Sequence, residues 1–194
     1  MKKLLITGFE PFGGEDINPS WEAVRLLPDE IGDYSLYKLC IPVTFGGGAE
    51  RLLASAEELH PDVILSIGQA GGRADVTPEL VAINLRHASI PDNNGYQPID
   101  LPIIEGGCAA YFSTLPMRQI SRAISDSGIP SHLSYSAGAY VCNDLIYTIL
   151  ARFDGTDTRA GFIHIPYCTL QSKEPAMPLA TIVSALVTAI KKLD

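Results

Sequence analysis

The chain has 194 residues, of which 46% are hydrophobic and 19% charged, a balance that gives a packed core and excludes a disordered polymer. Its 14 basic and 22 acidic residues leave a formal charge of −8, which speaks against nucleic acid or an anionic membrane as partner, since both are bound by basic surfaces. The length fits one domain over residues 1–194.

Lys3–Thr7 reads as a strand. Asn18–Leu27 reads as a helix, with Asn18 as N-cap and Pro19 in the first helical position. A strand over Tyr34–Val43 precedes a helix over Gly48–Leu59, whose Leu52, Leu53, Ala56 and Leu59 share a face. Val63–Ile67 is a short apolar run of the kind that forms a buried strand. Glu79–His87 alternates as a strand does, and Asp92–Gly95 is a turn. Leu115–Ser127 is a helix, with a short strand near His132–Tyr135 after it. Ala139–Phe153 is a helix with Val141, Leu145 and Ile149 in phase; Ala160–Ile165 is a strand, and Pro178–Leu193 a closing amphipathic helix. This alternation predicts an α/β fold, a three-layer α/β/α sandwich around a mixed, largely parallel sheet. Ligands gather at the carboxyl ends of such strands, where Gly8–Gly14, Gly68–Gly72 and His164 fall.

The first strand runs into T-G-F-E-P-F-G-G, Thr7 to Gly14. Gly8 and Gly13 have the glycine spacing of a phosphate loop, but Gly14 stands where its lysine belongs. Pro11 removes a backbone N–H and Glu10 adds a negative charge, both unfavourable to phosphate. What is left is a turn carrying Phe9 and Phe12. They suit either the core, the commoner fate of phenylalanine, or a flat uncharged ligand.

Lys2 and Lys3 precede only three apolar residues, too few for a signal peptide, and no run approaches the ~20 apolar residues of a membrane span, so a cytoplasmic protein is expected. Cys40, Cys108, Cys142 and Cys168 lie far apart without a C-x-x-C pair, which argues for free thiols over a disulfide framework or a zinc site. Cys142, in S-A-G-A-Y-V-C-N-D-L, falls in about the first turn of its helix. There the helix dipole and free N–H groups favour a thiolate and can hold an oxyanion, although a free cysteine is commonly a small buried hydrophobe. His164, in G-F-I-H-I-P-Y, is expected at the carboxyl edge of the sheet, either as a satisfied core histidine or as a proton carrier; His60, His87 and His132 show no such placement. Glu79 is equally readable as a charge at a strand start or as the acid that orients a histidine.

Several segments together resemble the pyroglutamyl peptidase I family of cysteine peptidases. They are T-G-F-E-P-F-G-G with Asn18-Pro19-Ser20, G-Q-A-G-G-R from Gly68 to Arg73, A-I-N with I-P-D-N, A-Y-F-S-T-L-P from Ala110, S-A-G-x-x-V-C-N, and F-I-H-I-P-Y. The matches run in order along almost the whole chain, and their combination is specific where each alone is weak. The resemblance implies removal of an N-terminal pyroglutamate from peptides by a Cys-His-Glu thioester mechanism, with Cys142 as nucleophile, His164 as base and Glu79 as the orienting acid. It implies a pocket for the lactam built from Phe9, Phe12, Thr44, Tyr140 and Val141, with Ile90 as a further apolar wall; Gln69, Asn18 or backbone groups are the candidates to hydrogen-bond the ring. It also implies a homotetramer, and neither metal nor cofactor is required.

A pyroglutamyl group is a neutral lactam, so apolar walls and a few hydrogen bonds suit it, and an N-terminal ammonium would enter such a pocket unpaired. Three departures stand out. Ser89 occupies the place of an arginine usual in D-D-A-R-I-P-D-N, Tyr140 replaces a phenylalanine or leucine, and Cys168–Gln171 replaces the familiar segment after the histidine. The Ser89 change leaves room for a member with weakened activity or a preference for another lactam or N-acyl group. A phosphorylase-like enzyme is a second alternative, since fold alone does not fix function. Having all three triad candidates present disfavours a non-catalytic binding module.

Overall fold

The computed structural model describes residues 1–194. Its elements in chain order are β1 (Lys2–Phe9), α1 (Pro19–Leu26), β2 (Glu30–Ile31), β3 (Tyr34–Ile41), α2 (Gly47–Leu59), β4 (Val63–Gln69), β5 (Thr77–Glu79), β6 (Val81–Ile83), β7 (Ala110–Phe112), α3 (Met117–Asp126), α4 (Val141–Phe153), β8 (Arg159–Ile165), β9 (Tyr167–Cys168), β10 (Ala176–Met177) and α5 (Leu179–Ile190). Six strands form the main sheet in the order β2-β3-β1-β4-β8-β5. β3, β1, β4 and β8 run parallel, while β2 and β5 add antiparallel edges.

Strand alternation divides the core into two layers. Leu4, Ile6, Val63, Leu65, Ile67, Ile163 and Ile165 face α1, α3 and α5, where they meet Val24, Ile120, Ile124, Ile182 and Leu186. Leu5, Phe9, Ile64, Ala160 and Phe162 face α2 and α4, where they meet Leu52, Ala56, Val141, Leu145 and Ile149. The result is the three-layer α/β sandwich with a largely parallel sheet that the element pattern predicts. No helix is long and apolar enough to cross a membrane.

Two local expectations fail. The strand expected over Glu79–His87 is two strands in different sheets: Thr77–Glu79 pairs with β8, and after Leu80 the chain leaves to pair Val81–Ile83 with Ala110–Phe112. Alternation specifies a face but not a partner, so the break at Leu80 leaves no mark in the pattern. The short strand expected near His132–Tyr135 is reduced to isolated bridges at Ser131 and Ser134 beside β5. Pro78 and Pro130, which accept there through their carbonyls, have no N–H to extend a ladder.

Candidate active site

The register of the main sheet brings the chemistry together. Gly68 of β4 lies directly opposite His164 of β8, and residues opposite one another in parallel strands present the same face. That face also carries Phe162 and lies under α2 and α4. A Cβ built on Gly68 would stand 3.0 Å from Cys142 Sγ and 2.5 Å from Phe162 Cζ. The thiol therefore rests over the glycine that is the neighbour of His164. No hydrogen bond joins thiol and ring in this state; catalytic contacts of this type commonly tighten only when substrate is bound.

Glu79, at the end of β5, has its Oε1 2.7 Å from His164 Nδ1. A carboxylate only accepts, so Nδ1 carries the proton and Nε2 keeps its lone pair free as a base. Both side chains are buried. Burial alone would raise the Glu79 pKa, but the hydrogen bond and charge of His164, with help from Ser134 and Arg73, outweigh it and hold the acid below the ordinary carboxylate value. Burial pushes His164 down; Glu79 opposes that shift, Arg73 adds to it, and the ring stays neutral near neutral pH.

Cys142 is the second residue of α4. At Cys142 burial opposes the thiolate that the helix terminus favours. Burial pushes the thiol up to about 12, the Glu79 charge adds to that, and the opposing effect of Arg73 is smaller. The free site thus pairs a neutral thiol with a neutral imidazole. No side chain caps α4, which leaves the amides of its first turn to receive an oxyanion. Next to the cysteine, Asn143 is fully buried and locks α4 to the β6 segment through Ile83 N–H and the carbonyls of Ile83 and Leu85.

A small cavity opens beside the thiol, lined by Phe9, Phe12, Asn18, Val43, Gln69, Tyr140, Val141 and Cys142. The two phenylalanines of the first turn both reach it, Phe9 from within the core and Phe12 from its edge. Thr44 and Ile90 do not line it. Thr44 turns its hydroxyl toward Gly47 at the start of α2, so the alternate residue Val43 faces the cavity; Ile90 is about half exposed in the loop before Pro91. Asn18 spends its side chain on structure. Its Oδ1 accepts from Ser20 N–H and Ser20 Oγ, and its Nδ2 donates to Glu10 O. Gln69 is oriented by a relay: Cys168 N–H donates to Gln171 Oε1, and Gln171 Nε2 donates to Gln69 Oε1, which leaves Gln69 Nε2 as a donor for the cavity. No lysine or arginine lines this space, and Glu10 is occupied by Val43 N–H and Asn93 Nδ2, so nothing there suits a phosphate.

Sequence reasoning passed over three contributors. Arg73 donates to Glu79 Oε1 at 2.7 Å, a role that its place in G-Q-A-G-G-R does not reveal. Val43 and Gln171 reach the cavity through a turn and a relay that carry no pattern of their own. Ser89 is exposed, and Arg86, three residues earlier, is committed to buried Asp144 at 2.5 Å. His87 and His132 pair on the surface with Asp100 and Asp75. A wider hollow lies at the opposite end of the sheet, by Asp62 and Thr158, and holds no cysteine.

Comparison with known proteins gives one answer. A family model described as pyroglutamyl peptidase matches residues 2–193. The chain is 50% identical to the pyrrolidone-carboxylate peptidase of Thermococcus onnurineus, covering 97% of each chain. It is 46% identical to that of Bacillus cytotoxicus, covering 98% of this chain and 92% of the relative. The crystal structure of Bacillus amyloliquefaciens pyroglutamyl peptidase I superposes with a TM-score of 0.94 at 45% identity, over 100% of this chain and 97% of that one. The pyrrolidone carboxyl peptidase of Thermococcus litoralis gives 0.94 at 38% identity, over 100% and 93%.

Proposed function

This chain belongs to the pyroglutamyl peptidase family, a family of peptidase hydrolases, and from that premise we propose that it removes an N-terminal pyroglutamyl residue from peptides by a Cys-His-Glu mechanism. The observation that carries the mechanism is the Glu79–His164 contact of 2.7 Å on the same sheet face that presents Cys142 at the mouth of an apolar cavity. The lactam ring lies between Phe9, Phe12 and Val141, and Gln69 Nε2 donates to its carbonyl. His164 Nε2 takes the thiol proton as Cys142 Sγ adds to the scissile carbonyl, and the first-turn amides of α4 hold the oxyanion. The imidazolium, met by Glu79, returns its proton to the leaving amine as the C–N bond breaks. Water, deprotonated by the same nitrogen, then hydrolyses the thioester and releases the thiol.

The test is turnover of pyroglutamyl-naphthylamide, alongside prolyl and free-amino analogues. Wild type should cleave the first and discriminate against the others, and Cys142→Ala should abolish turnover. Retained turnover in that variant would remove Cys142 from the nucleophile role. Preference for a different acyl group would favour the altered-specificity reading prompted by Ser89. We further propose that the chain is cytoplasmic and assembles as a homotetramer; the assembly is supported by Ile99, Leu101, Ile104 and Phe112, which lie exposed along one segment and offer apolar surface to further copies. Light scattering of the purified chain checks the assembly.

A further inference from the structure

Arg73 touches neither the cavity nor the proton path, yet its guanidinium reaches three parts of the site at once. Nη1 donates to Thr77 Oγ1 and to Glu79 Oε1, each at 2.7 Å, and Nη2 donates to Ser136 O at 3.2 Å. Those partners are the start of β5, the acid itself, and the turn that leads into α4 and Cys142. The loop that delivers Arg73 is held by two glycines. An added Cβ on Gly71 would lie 2.2 Å from Tyr167 Oη, and Gly72 sits at φ +85°, where a side chain is strained.

Glu79 Oε1 therefore accepts from His164 Nδ1 and Arg73 Nη1 together, while Oε2 is buried with no partner. One oxygen shared at 2.7 Å on each side keeps the two nitrogens within twice that distance, where positive charge on one opposes positive charge on the other. We propose that Arg73 is a positioning residue of the peptidase: its fork fixes Glu79 toward the imidazole and anchors the turn before α4, and its charge opposes protonation of His164. The kinetic part of this inference rests on the function proposed above; the geometric part does not.

The electrostatics agree in sign. Burial is the largest cause that lowers His164, and Arg73 adds to it against the raising influence of Glu79. The groups facing the ring from its neighbours are few. β4 has no ionisable side chain, β5 supplies Glu79, and α4 presents Cys142, with its Asp144 paired to Arg86. Arg73 is thus the cation set against the acid that would otherwise make the imidazole more basic.

The experiment compares Arg73→Gln, which keeps a donor and loses the charge, with Arg73→Lys, which keeps the charge and loses the fork. Two readouts are taken: the pH profile of kcat/KM on pyroglutamyl-naphthylamide, and NMR titration of the His164 imidazole in the free protein, which needs no substrate. In R73Q both the acid limb and the ring titration should move up by about one pH unit. In R73K both should stay near wild type, while kcat falls by roughly tenfold with KM little changed. An unmoved ring titration in R73Q, or equal movement in the two variants, overturns the electrostatic role. Should R73Q not fold by thermal unfolding, R73K decides alone, and wild-type kcat there overturns the positioning role. An enzyme inactive on the pyroglutamyl substrate in every form but with the expected ring titrations would instead refute the substrate assignment and leave the Arg73 geometry standing.

Discussion

Gly68 is the position where one methyl group tests the whole arrangement. It lies in extended β4, a backbone that any residue adopts, so Gly68→Ala carries no conformational strain. By backbone entropy alone alanine would stabilise by about 0.4–1 kcal/mol. The new methyl, however, would meet Phe162 Cζ at 2.5 Å, Phe162 Cε1 at 2.9 Å and Cys142 Sγ at 3.0 Å, all short of the 3.4 Å at which ordinary contact begins. Phe162 cannot retreat freely, because its ring is tilted against His164 at 4.8 Å and Phe9 at 6.4 Å between centroids. Overpacking of this kind costs about 1–3 kcal/mol, so G68A should be destabilised by about 1–2 kcal/mol net, or several degrees in Tm for a chain of this size.

The effect on turnover should exceed the effect on stability. The displaced atoms are the sulfur proposed as nucleophile and the ring that packs against the proposed base, and misplacement on the ångström scale costs on the order of 10²-fold in rate. Steady-state kinetics on pyroglutamyl-naphthylamide and thermal unfolding of the same preparations measure both. Gly155→Ala is the control: with φ at +72° and nothing within 4 Å of its added Cβ, it should lose stability through backbone strain and keep wild-type kcat. A G68A enzyme with unchanged Tm and kcat within about threefold would refute the placement of Cys142 Sγ over β4.

The protonation states make two further predictions. Burial, with the Glu79 charge, lifts the Cys142 thiol to about 12, so its alkylation by iodoacetamide should climb steadily from about pH 7 to 10 without a plateau, and stay slower than that of exposed Cys108. Site-resolved mass spectrometry follows both residues, and a plateau below about pH 8 would show a preformed thiolate instead. His164 is lowered in the folded state, so the unfolded chain binds the extra proton first, and the stability of the neutral ring is present above about pH 6.5 and lost as pH falls. The Tm of wild type should therefore fall relative to His164→Gln between about pH 7 and 5; a constant difference over that window would contradict the buried neutral imidazole.

The fold was legible because its signals are periodic. Val63–Ile67 and Ala160–Ile165 are mostly apolar stretches, as strands covered on both faces are, and Asn18-Pro19 marks a helix start that the structure reproduces down to the Ser20 N–H bond to Asn18. The second sheet was not legible. Val81–Ile83 finds its partner nearly thirty residues away at Ala110–Phe112, and nothing local encodes that pairing. In the site, residue types pointed to Cys142, His164 and Glu79 as candidates, but their protonation depends on burial, which a chain order does not contain. For Cys142 the helix terminus favours a thiolate while burial and the Glu79 charge oppose it, and that opposition depends on the folded surroundings of the sulfur.

With thiol and imidazole both neutral, the proposed mechanism creates charge only when the proton crosses from Sγ to Nε2 during attack, and so asks the site to stabilise two charges that the resting protein does not hold. In that proposal Glu79, buried and held ionised, meets the imidazolium, and the uncapped amides of α4 meet the oxyanion. Glu79 alone would bias the ring toward early protonation, which would remove the base; a cation on the same carboxylate oxygen limits that bias. The neutral cavity fits the same logic. A ligand bearing an ammonium would bring its own unpaired charge beside a site that keeps its charges in reserve, whereas a lactam adds none.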